Sequence, residues 1–356
     1  MGFSISNFFM KKILVGLSWW VDSAVTAYLL QQEWYEVTAG FMINYLAEDG
    51  NCPTSYDLEE AKKVADFLGI NFFSFDYQDE YYNKIVEYIF EGYKQWYTPN
   101  PDILCNSEIK FKLFLEEAMN LWFDGIATGH YARIMRGDGG YFHLLKWVDA
   151  NKDQTYFLAW LEQWQLARTL FPIWWMQKQQ VRNKAREIGL PNAERKDSQW
   201  ICFIWKVDMH KFLRQKLPVK KWKAVDTSGN QVAEHDGAWF YTIWQRRGLG
   251  ISLGKPVYVV DKDVENNIIV IGEQKDLNLY SSELTTTNWH WLANPKDFPL
   301  EWKAKIRYPQ EDQNCTIYPE WNWIKALFEN PQRAIASWQT FAFYQWDELV
   351  GSWTIR

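Results

Sequence analysis

Four short segments carry residue types that could do chemistry. The first is Gly16-Leu17-Ser18-Trp19-Trp20-Val21-Asp22-Ser23, set between an apolar run and a helical pattern. A strand, a tight turn and a helix N-terminus make an anion site. The first backbone N–H groups of a helix lack an intrahelical acceptor, and its dipole favours negative charge. The segment has no Gly-Lys-Ser/Thr, so the turn is not a Walker loop. The second segment is Thr98-Pro99-Asn100-Pro101-Asp102-Ile103-Leu104-Cys105-Asn106. Its prolines stiffen the approach to a helix expected to begin near Asn106. A cysteine beside a helix N-terminus is more readily a thiolate. Asp102, one turn earlier, is placed to exchange a proton with a substrate. A buried structural cysteine accounts for Cys105 equally well on these grounds. The third segment is Asp197-Ser198-Gln199-Trp200-Ile201-Cys202-Phe203-Ile204, where Cys202 stands in an apolar run like a core residue. The fourth is Ala127-Thr128-Gly129-His130-Tyr131-Ala132, at the end of an expected strand. Ligands of open α/β sheets bind at such strand ends, although a lone histidine there is more often structural.

The elements that must position these segments follow from periodicity. Residues 12–17 read as a buried strand and 22–33 as a helix, with Asp22 or Ser23 suited to cap it. Residues 36–43, 71–77 and 124–129 read as further strands. A helix from Asp57 to Leu68 places Leu58, Ala61, Ala65 and Leu68 on one face and stops at Gly69. Strand alternating with helix implies an α/β fold with a parallel sheet covered on both sides. After about residue 215 the alternation gives way to short strands and turn signals, such as 227–230 and 253–255. The runs 302–308 and 339–345 continue that pattern to the end. The division expected is a leader at 1–11, an α/β domain at 12–215, a β-rich central domain at 216–279 and a β-barrel-like domain at 280–356.

The loop at 16–23 resembles the SGGxDS loop of PP-loop ATP pyrophosphatases, a Rossmann-like class. Ser18, Val21, Asp22 and Ser23 fit that pattern. Taken with TPNPDILCN, ATGHYAR, KDQTYFL, ERKDSQ-W-ICFI and EHDGAWFYTI-W-QRRGLGI, it resembles the tRNA-specific 2-thiouridylases, in order and spacing, from about Lys12 to Arg356. The resemblance implies a tRNA-uridine 2-sulfurtransferase. Gly16, Leu17, Ser18, Trp19, Trp20, Val21, Asp22, Ser23 and Met42 would hold ATP, as its magnesium complex, with Gly129 bordering the nucleotide. Asn100, Pro101 and Asp102 would surround the target base. His130, Lys152, Asp153, Gln154, Arg307, Tyr308 and Gln339 would touch tRNA. Cys105 would be the nucleophile, Cys202 the persulfide carrier and Asp102 an acid or base. ATP would adenylate the 2-oxygen of a wobble uridine in the anticodon loop, and the persulfide sulfur would replace it. The cycle would leave a transient Cys105–Cys202 disulfide for a reductant to reset. A sulfur-relay protein or a cysteine desulfurase would load Cys202. Cys52 and Cys315 are expected to be structural.

Composition bounds these readings. The chain has 356 residues, 23% of them charged and 47% hydrophobic, enough for two or three folded domains. No apolar run is long enough to cross a bilayer. The N-terminal MGFSISNFFMKK places its charges after the apolar stretch, the wrong order for a secretory signal. It matches the loose myristoylation pattern at Gly2 and Ser6, and is read as a leader before Met10 of a cytoplasmic protein. Four scattered cysteines with no CxxC pair make neither a disulfide scaffold nor a structural zinc site, and no metal-ligand set is expected. A net charge of −6 runs against nucleic-acid binding, but residues 206–223 carry seven Lys/Arg against one Asp, and Arg246 and Arg247 add a pair.

Tryptophan is the anomaly. The 23 Trp outnumber the 19 Gly. Trp stands where the resembled pattern has Gly at 19, 20, 174, 175, 200, 205, 244, 338 and 353, and similarly at 34, 96, 122 and 147. Two explanations compete: stacking platforms for bases, and a systematic replacement of Gly by Trp. At Trp19 and Trp20 the indoles would compete with phosphates for space, so weak ATP binding is expected. Two further functions stay open, namely another PP-loop enzyme acting on a small molecule and an inactive tRNA-binding homologue. The first needs no cysteine pair.

Overall fold

The computed structural model describes residues 11–45, 53–149, 152–195, 209–246, 248–251, 253–263, 265–276, 279–293, 298–320 and 323–356. The chain divides into two compact units. The first comprises residues up to Lys84, Asp102–Trp205 and Asp347–Leu349; the second comprises Ile85–Pro101, Lys206–Trp346 and Val350–Arg356.

In the first unit, β1 (Lys12–Gly16) leads through a turn into α1 (Val21–Gln32), then β2 (Glu36–Ile43), α2 (Pro53–Leu68) and β3 (Asn71–Asp76). A short strand β4 (Gly125–Ala127) follows, then the hairpin β5 (Arg133–Arg136) and β6 (Phe142–Leu145), and β7 (Thr169–Leu170). Strands β3, β2, β1, β4 and β7, in that order, form a parallel sheet. α1 serves two apolar clusters. Ala27 and Leu30 join Ile13, Val15 and Ala127 in one, and Val21, Ala24 and Val25 join Ala39, Val64 and Ala65 in the other. Gly40 in β2 is obligatory: a Cβ there would come within 2.7 Å of the Phe114 ring. The hairpin and β7 are absent from the periodicity reading. β7 spans two residues, too short for any period to register.

In the second unit, β8 (Trp222–Asp226), β9 (Gln231–His235), β10 (Tyr258–Asp263) and β11 (Ile268–Gly272) form a sheet in the order β10-β11-β8-β9. The strands β12 (Tyr280–Trp291), β13 (Leu300–Lys305), β14 (Gln313–Pro319), β15 (Ile324–Arg333), β16 (Thr340–Gln345) and β17 (Glu348–Ile355) follow. They run in the order β12-β15-β14-β13-β16-β17, and β17 returns to β12 in the pairs Thr286↔Ile355 to Trp291↔Gly351, closing a barrel. The first two residues of β17, Glu348 and Leu349, belong to the first unit and pair there with β6. Closure removes the open edges a sheet otherwise exposes. Trp353 fills the barrel core against Phe343, ring centroids 4.2 Å apart, and Phe341. The α/β sheet followed by β-sheet and barrel matches the expected fold class.

The tryptophans separate by backbone. Trp34, Trp96, Trp122, Trp244 and Trp338 have φ between 64° and 74°, the left-handed region that favours Gly, and Trp346 joins them at 54°. Trp34 closes the turn after α1 and is 94% exposed, so its indole gains almost nothing from burial. A left-handed residue bearing a Cβ costs about 1–2 kcal/mol. Trp34→Gly is therefore expected to stabilise the protein by about 1 kcal/mol after the entropy of glycine is counted. Calorimetry would show this as a higher melting temperature; an unchanged or lower one refutes it.

Candidate active site

The turn between β1 and α1 is built by its own hydroxyls. Leu17 N–H donates to Gly40 O at 2.9 Å, which ties the end of β1 to β2. Ser18 N–H donates to Ser23 Oγ at 3.1 Å, and the two hydroxyl oxygens lie 2.9 Å apart. Ser23 Oγ also lies 3.0 Å from the carbonyls of both Ser18 and Trp20. Helix α1 begins at Val21, with Trp20 as an extended N-cap that makes no side-chain cap bond. Asp22 and Ser23 thus sit in the first turn and not at the cap, because the Ser23 hydroxyl faces back into the loop.

Asp22 is held from two sides. Lys178 Nζ lies 2.8 Å from both carboxylate oxygens, and Tyr131 Oη donates to Oδ1 at 2.5 Å. Lys178 opens the helix Lys178–Glu187, and Tyr131 packs on Trp147 with ring centroids 4.1 Å apart. Gly129 lies against the same turn. A Cβ there would fall 2.7 Å from the Asp22 carbonyl carbon and 2.8 Å from Ser23 N. Met42 is buried at the other side of the loop, its Cε 3.6 Å from where a Gly16 Cβ would stand. The structure therefore gathers residues 16–23, Met42 and Gly129 in one place. Lys178 and Tyr131 were missed as partners of Asp22, since no local pattern signals a contact across 156 or 109 residues of chain.

The indoles of Trp19 and Trp20 lie 3.9 Å apart at 31°. The Arg195 guanidinium sits 3.7 Å over Trp19, and its Nη1 is 3.0 Å from Glu60 Oε2. Asn192 Nδ2 donates to Trp19 O at 3.0 Å. The strand–turn–helix frame fits a nucleotide phosphate, but the two apposed indoles and the internally bonded hydroxyls do not. No group of three or more His, Cys, Asp or Glu able to hold a metal occurs among the described residues.

Thr128 Oγ1 lies 2.7 Å from His130 Nδ1, and Phe111 and Phe171 flank the imidazole at 5.3 and 5.9 Å. Burial and the nearby Lys110 cation hold its pKa well below the ordinary imidazole range, so His130 is neutral at pH 7. Asp153 is 1% exposed. Its Oδ1 accepts the Trp147 and Thr155 amides, and its Oδ2 the Thr155 hydroxyl. Gln154 N–H donates to Tyr131 O, and Tyr131 N–H to Gln154 Oε1, both at 2.9 Å. Those two side chains shape the loop that presents His130, whereas Lys152 is exposed.

The helix carrying Cys105 begins earlier than expected. It spans Pro101–Cys105 and continues as a π-helix over Asn106–Leu113. Proline at the first helical position is favourable, because its missing N–H would have no partner there. Cys105 is thus a turn inside the helix, and a helix start cannot be what activates its thiol. It is 1% exposed, with Asp102 one turn before it on the same face. Cys315 packs in the barrel core, where burial pushes its thiol up to about 12. Cys52, Cys202, Trp200 and Trp205, with Lys206, Asp208 and Arg247 of the basic patches, lie outside the described residues.

In the second unit, Arg307 Nη1 donates to Arg333 O at 2.5 Å, and Tyr308 is half-buried. Gln339 is hydrogen-bonded to the chain at residues 98–100, which includes Asn100 just before Pro101.

The loop and helix α2 each yield a prediction. Trp19→Gly combined with Trp20→Gly is expected to tighten ATP binding at least about tenfold, some 1.4 kcal/mol, by titration calorimetry. Micromolar affinity in the unchanged protein would refute it. The second concerns Asp57, buried beside Arg195 and Glu60, whose carboxyl is raised to about 6 chiefly by burial. A raised acid contributes stability that is full below its unfolded value near 4 and lost as pH rises through 6. Asp57→Asn should therefore melt higher than the unchanged protein above pH 6, with the difference gone below pH 4. A pH-independent difference would exclude this origin.

The model of the tRNA methyl transferase HUP domain matches residues 11–206, that of the tRNA methyl transferase PRC-barrel domain residues 210–273, and that of the aminomethyltransferase beta-barrel domain residues 281–355. The tRNA-specific 2-thiouridylase MnmA of Alkaliphilus oremlandii is 42% identical over 97% of this chain and 96% of its own length. That of Streptococcus agalactiae is 42% identical over 96% of this chain and 94% of its own length. Among solved structures, the U34-tRNA thiolase NcsA of Methanococcus maripaludis superposes with a TM-score of only 0.37 at 17% identity, over 60% of this chain and 66% of that one, too weak a likeness to bear on the assignment. With identity of this level along nearly its whole length, and all three domain models matched in order, the chain belongs to the tRNA-specific 2-thiouridylase family.

Proposed function

We propose that the protein is a tRNA-uridine 2-sulfurtransferase, thiolating the wobble uridine of an anticodon loop. The observation that carries the reading is the segment Asn100 to Cys105. It places a buried thiol one helical turn after a carboxylate, in a chain 42% identical to enzymes named for this reaction. A wobble base is already in a loop, so drawing it out of its stack costs little. Asn100, Pro101 and Asp102 surround the base, and neutral His130 offers a donor or acceptor but no charge. Lys152, Gln154, Arg307, Tyr308 and Gln339 line the RNA path in this reading, and buried Asp153 holds the loop behind it. The three-part division at 12–215, 216–279 and 280–356 belongs to it, as does a cytoplasmic setting; no helix among the described residues is long and apolar enough to cross a membrane.

Sulfur enters as a persulfide on Cys202, loaded by a sulfur-relay protein or a cysteine desulfurase. Cys105 thiolate attacks the Cys202 sulfur, forming the Cys105–Cys202 disulfide and releasing hydrosulfide, which adds to C2 of the uracil. An external thiol reduces the disulfide. Asp102 accepts the Cys105 proton. When bound at residues 16–23, Met42 and Gly129, ATP with magnesium would make the 2-oxygen a leaving group; Trp19 and Trp20 oppose that binding. The same indoles favour a second reading, an RNA-binding homologue without turnover. Both are tested by thiolation of unmodified tRNA with ATP and sulfide, in the protein as it stands and with Trp19→Gly and Trp20→Gly. Cys105→Ser is expected to lower product at least about a thousandfold, as for loss of a nucleophile, with an unchanged melting temperature. Equal product with and without Cys105 would refute the assignment; no product from any variant would favour the second reading.

A further inference from the structure

Within the second unit, the helix Glu87–Lys94 hands the chain to the stretch that precedes Asn100. The helix ends in a tight cap around the left-handed Trp96. Trp96 N–H donates to Tyr93 O at 3.1 Å and Tyr97 N–H to Gly92 O at 2.8 Å. The chain then turns back along the helix, and a Cβ on Gly92 would stand 3.1 Å from the Pro99 ring. Where the chain leaves at Trp96 therefore decides where Thr98, Pro99 and Asn100 lie.

Lys262 of β10 holds that exit. Its Nζ donates to Trp96 O at 3.1 Å and to Tyr241 O at 3.0 Å. Tyr241 follows the short turn Ala238–Phe240, and the Trp239 indole of that turn meets the Trp96 indole edge to face, centroids 5.4 Å apart. Both acceptors are carbonyls at the ends of helical turns, where backbone dipoles gather negative charge and a cation is favoured. Burial opposes the charge and pushes the amine down to about 8, while Asp261 beside it on β10 draws it back up. Ile269 opposite it on β11, Trp96 at the helix end and Tyr241 at the turn are uncharged at pH 7. A neutral donor would avoid the cost of burying an ammonium. Proteins accept such costs chiefly where a functional segment must be held.

We infer that Lys262 is a positioning residue: its ammonium fixes where the chain leaves the helix Glu87–Lys94, and through that exit sets the place of Thr98–Asn100. This rests on the reading that Asn100, Pro101 and Asp102 surround the base. The clamp itself does not depend on that reading, so the two can fail separately.

Hydrogen exchange of the Trp96 and Tyr97 amides in the full-length free protein, corrected for intrinsic rates, reads the clamp directly. Lys262→Met keeps the length of the stem and removes the donor. It should lower the protection of both amides at least about tenfold at pH 7, because two carbonyls lose their donor. Amides of β13 and β16 in the barrel should keep theirs. The unaltered protein should also show a pH slope. The clamped amine titrates near 8 and a released one near 10.4, so the clamped form binds fewer protons and is favoured as pH rises. Protection of Trp96 and Tyr97 should therefore rise about tenfold between pH 7 and 9, and Lys262→Met should abolish that slope. Lys262→Arg, which stays charged throughout this range, should recover protection without the slope. In a form that thiolates tRNA, Lys262→Met should lower kcat at least about tenfold, as for a displaced binding segment, and Lys262→Arg should restore it.

Unchanged protection in Lys262→Met, or a flat pH dependence in the unaltered protein, overturns the inference. Equal loss of protection in the barrel strands also overturns it, since Lys262 would then be a general stabiliser. So does an unchanged kcat in Lys262→Met with Trp96 and Tyr97 deprotected. Absence of thiolation in every form of the protein would remove the proposed function and leave the exchange result standing.

Discussion

The close approach of Gly129 to the first turn of α1 is the constraint on which the candidate site depends. The chain after β4 runs so near Asp22 and Ser23 that a single added carbon would sit 2.7 Å from backbone. This contact brings the end of β4, with Thr128 and His130, against the loop that ends β1. The tie of Asp22 to Lys178 and Tyr131 then fixes the same turn from the far side, joining residues that lie far apart in sequence. A parallel sheet alone would place strand ends along one edge; the absent side chain and the part-buried ion pair turn that edge into a shaped site.

Against that constraint, the tryptophans are of two kinds. Where the backbone is left-handed, as at Trp34, Trp96, Trp122, Trp244 and Trp338, the conformation is the one glycine adopts without strain, and an indole sits there at a cost. Exposure at Trp34, Trp122 and Trp346 leaves that cost uncompensated by burial. Trp353 and Trp147 are instead packed among other rings, where an indole contributes apolar area. A stacking role for bases would call for rings gathered on one face. Left-handed turns scattered along the chain are better explained by replacement at positions whose backbone suits glycine.

Much of the fold could be read from the chain, because apolar runs and helical spacing mark β1, α1, β2, α2 and β3, and turn residues mark the later strands. The sequence reading erred where a structure-breaking residue was given too little weight. Pro101 starts the Cys105 helix rather than merely preceding it, so the thiol stands a turn deeper than expected. The loop residues 16–23 were recognisable by pattern, whereas Lys178, Tyr131 and Arg195 were not, since each reaches the loop through tertiary contact. Asp153 shows the same limit from the other side. Its place in a recognisable motif suggests RNA, while its burial and three hydrogen bonds give it work inside the fold.

The two halves of the proposed chemistry are therefore unequally supported by local physics. The segment from Asn100 to Cys105 contains no tryptophan, and its backbone is satisfied by a helix that begins where proline favours it. The loop at 16–23 keeps its serine pair and its aspartate, yet those groups are turned inward on one another and onto Lys178, with Arg195 over the Trp19 indole. In the proposed reading, a phosphate entering this loop would meet the two indoles and compete with the Asp22–Lys178 ion pair. Such a site penalises an anion twice, by lost space and by the carboxylate–ammonium contact that must reorganise. The sulfur chemistry proposed at Cys105 requires neither. In the proposed chemistry, activation of the uridine is the step that the indoles of Trp19 and Trp20 would hinder.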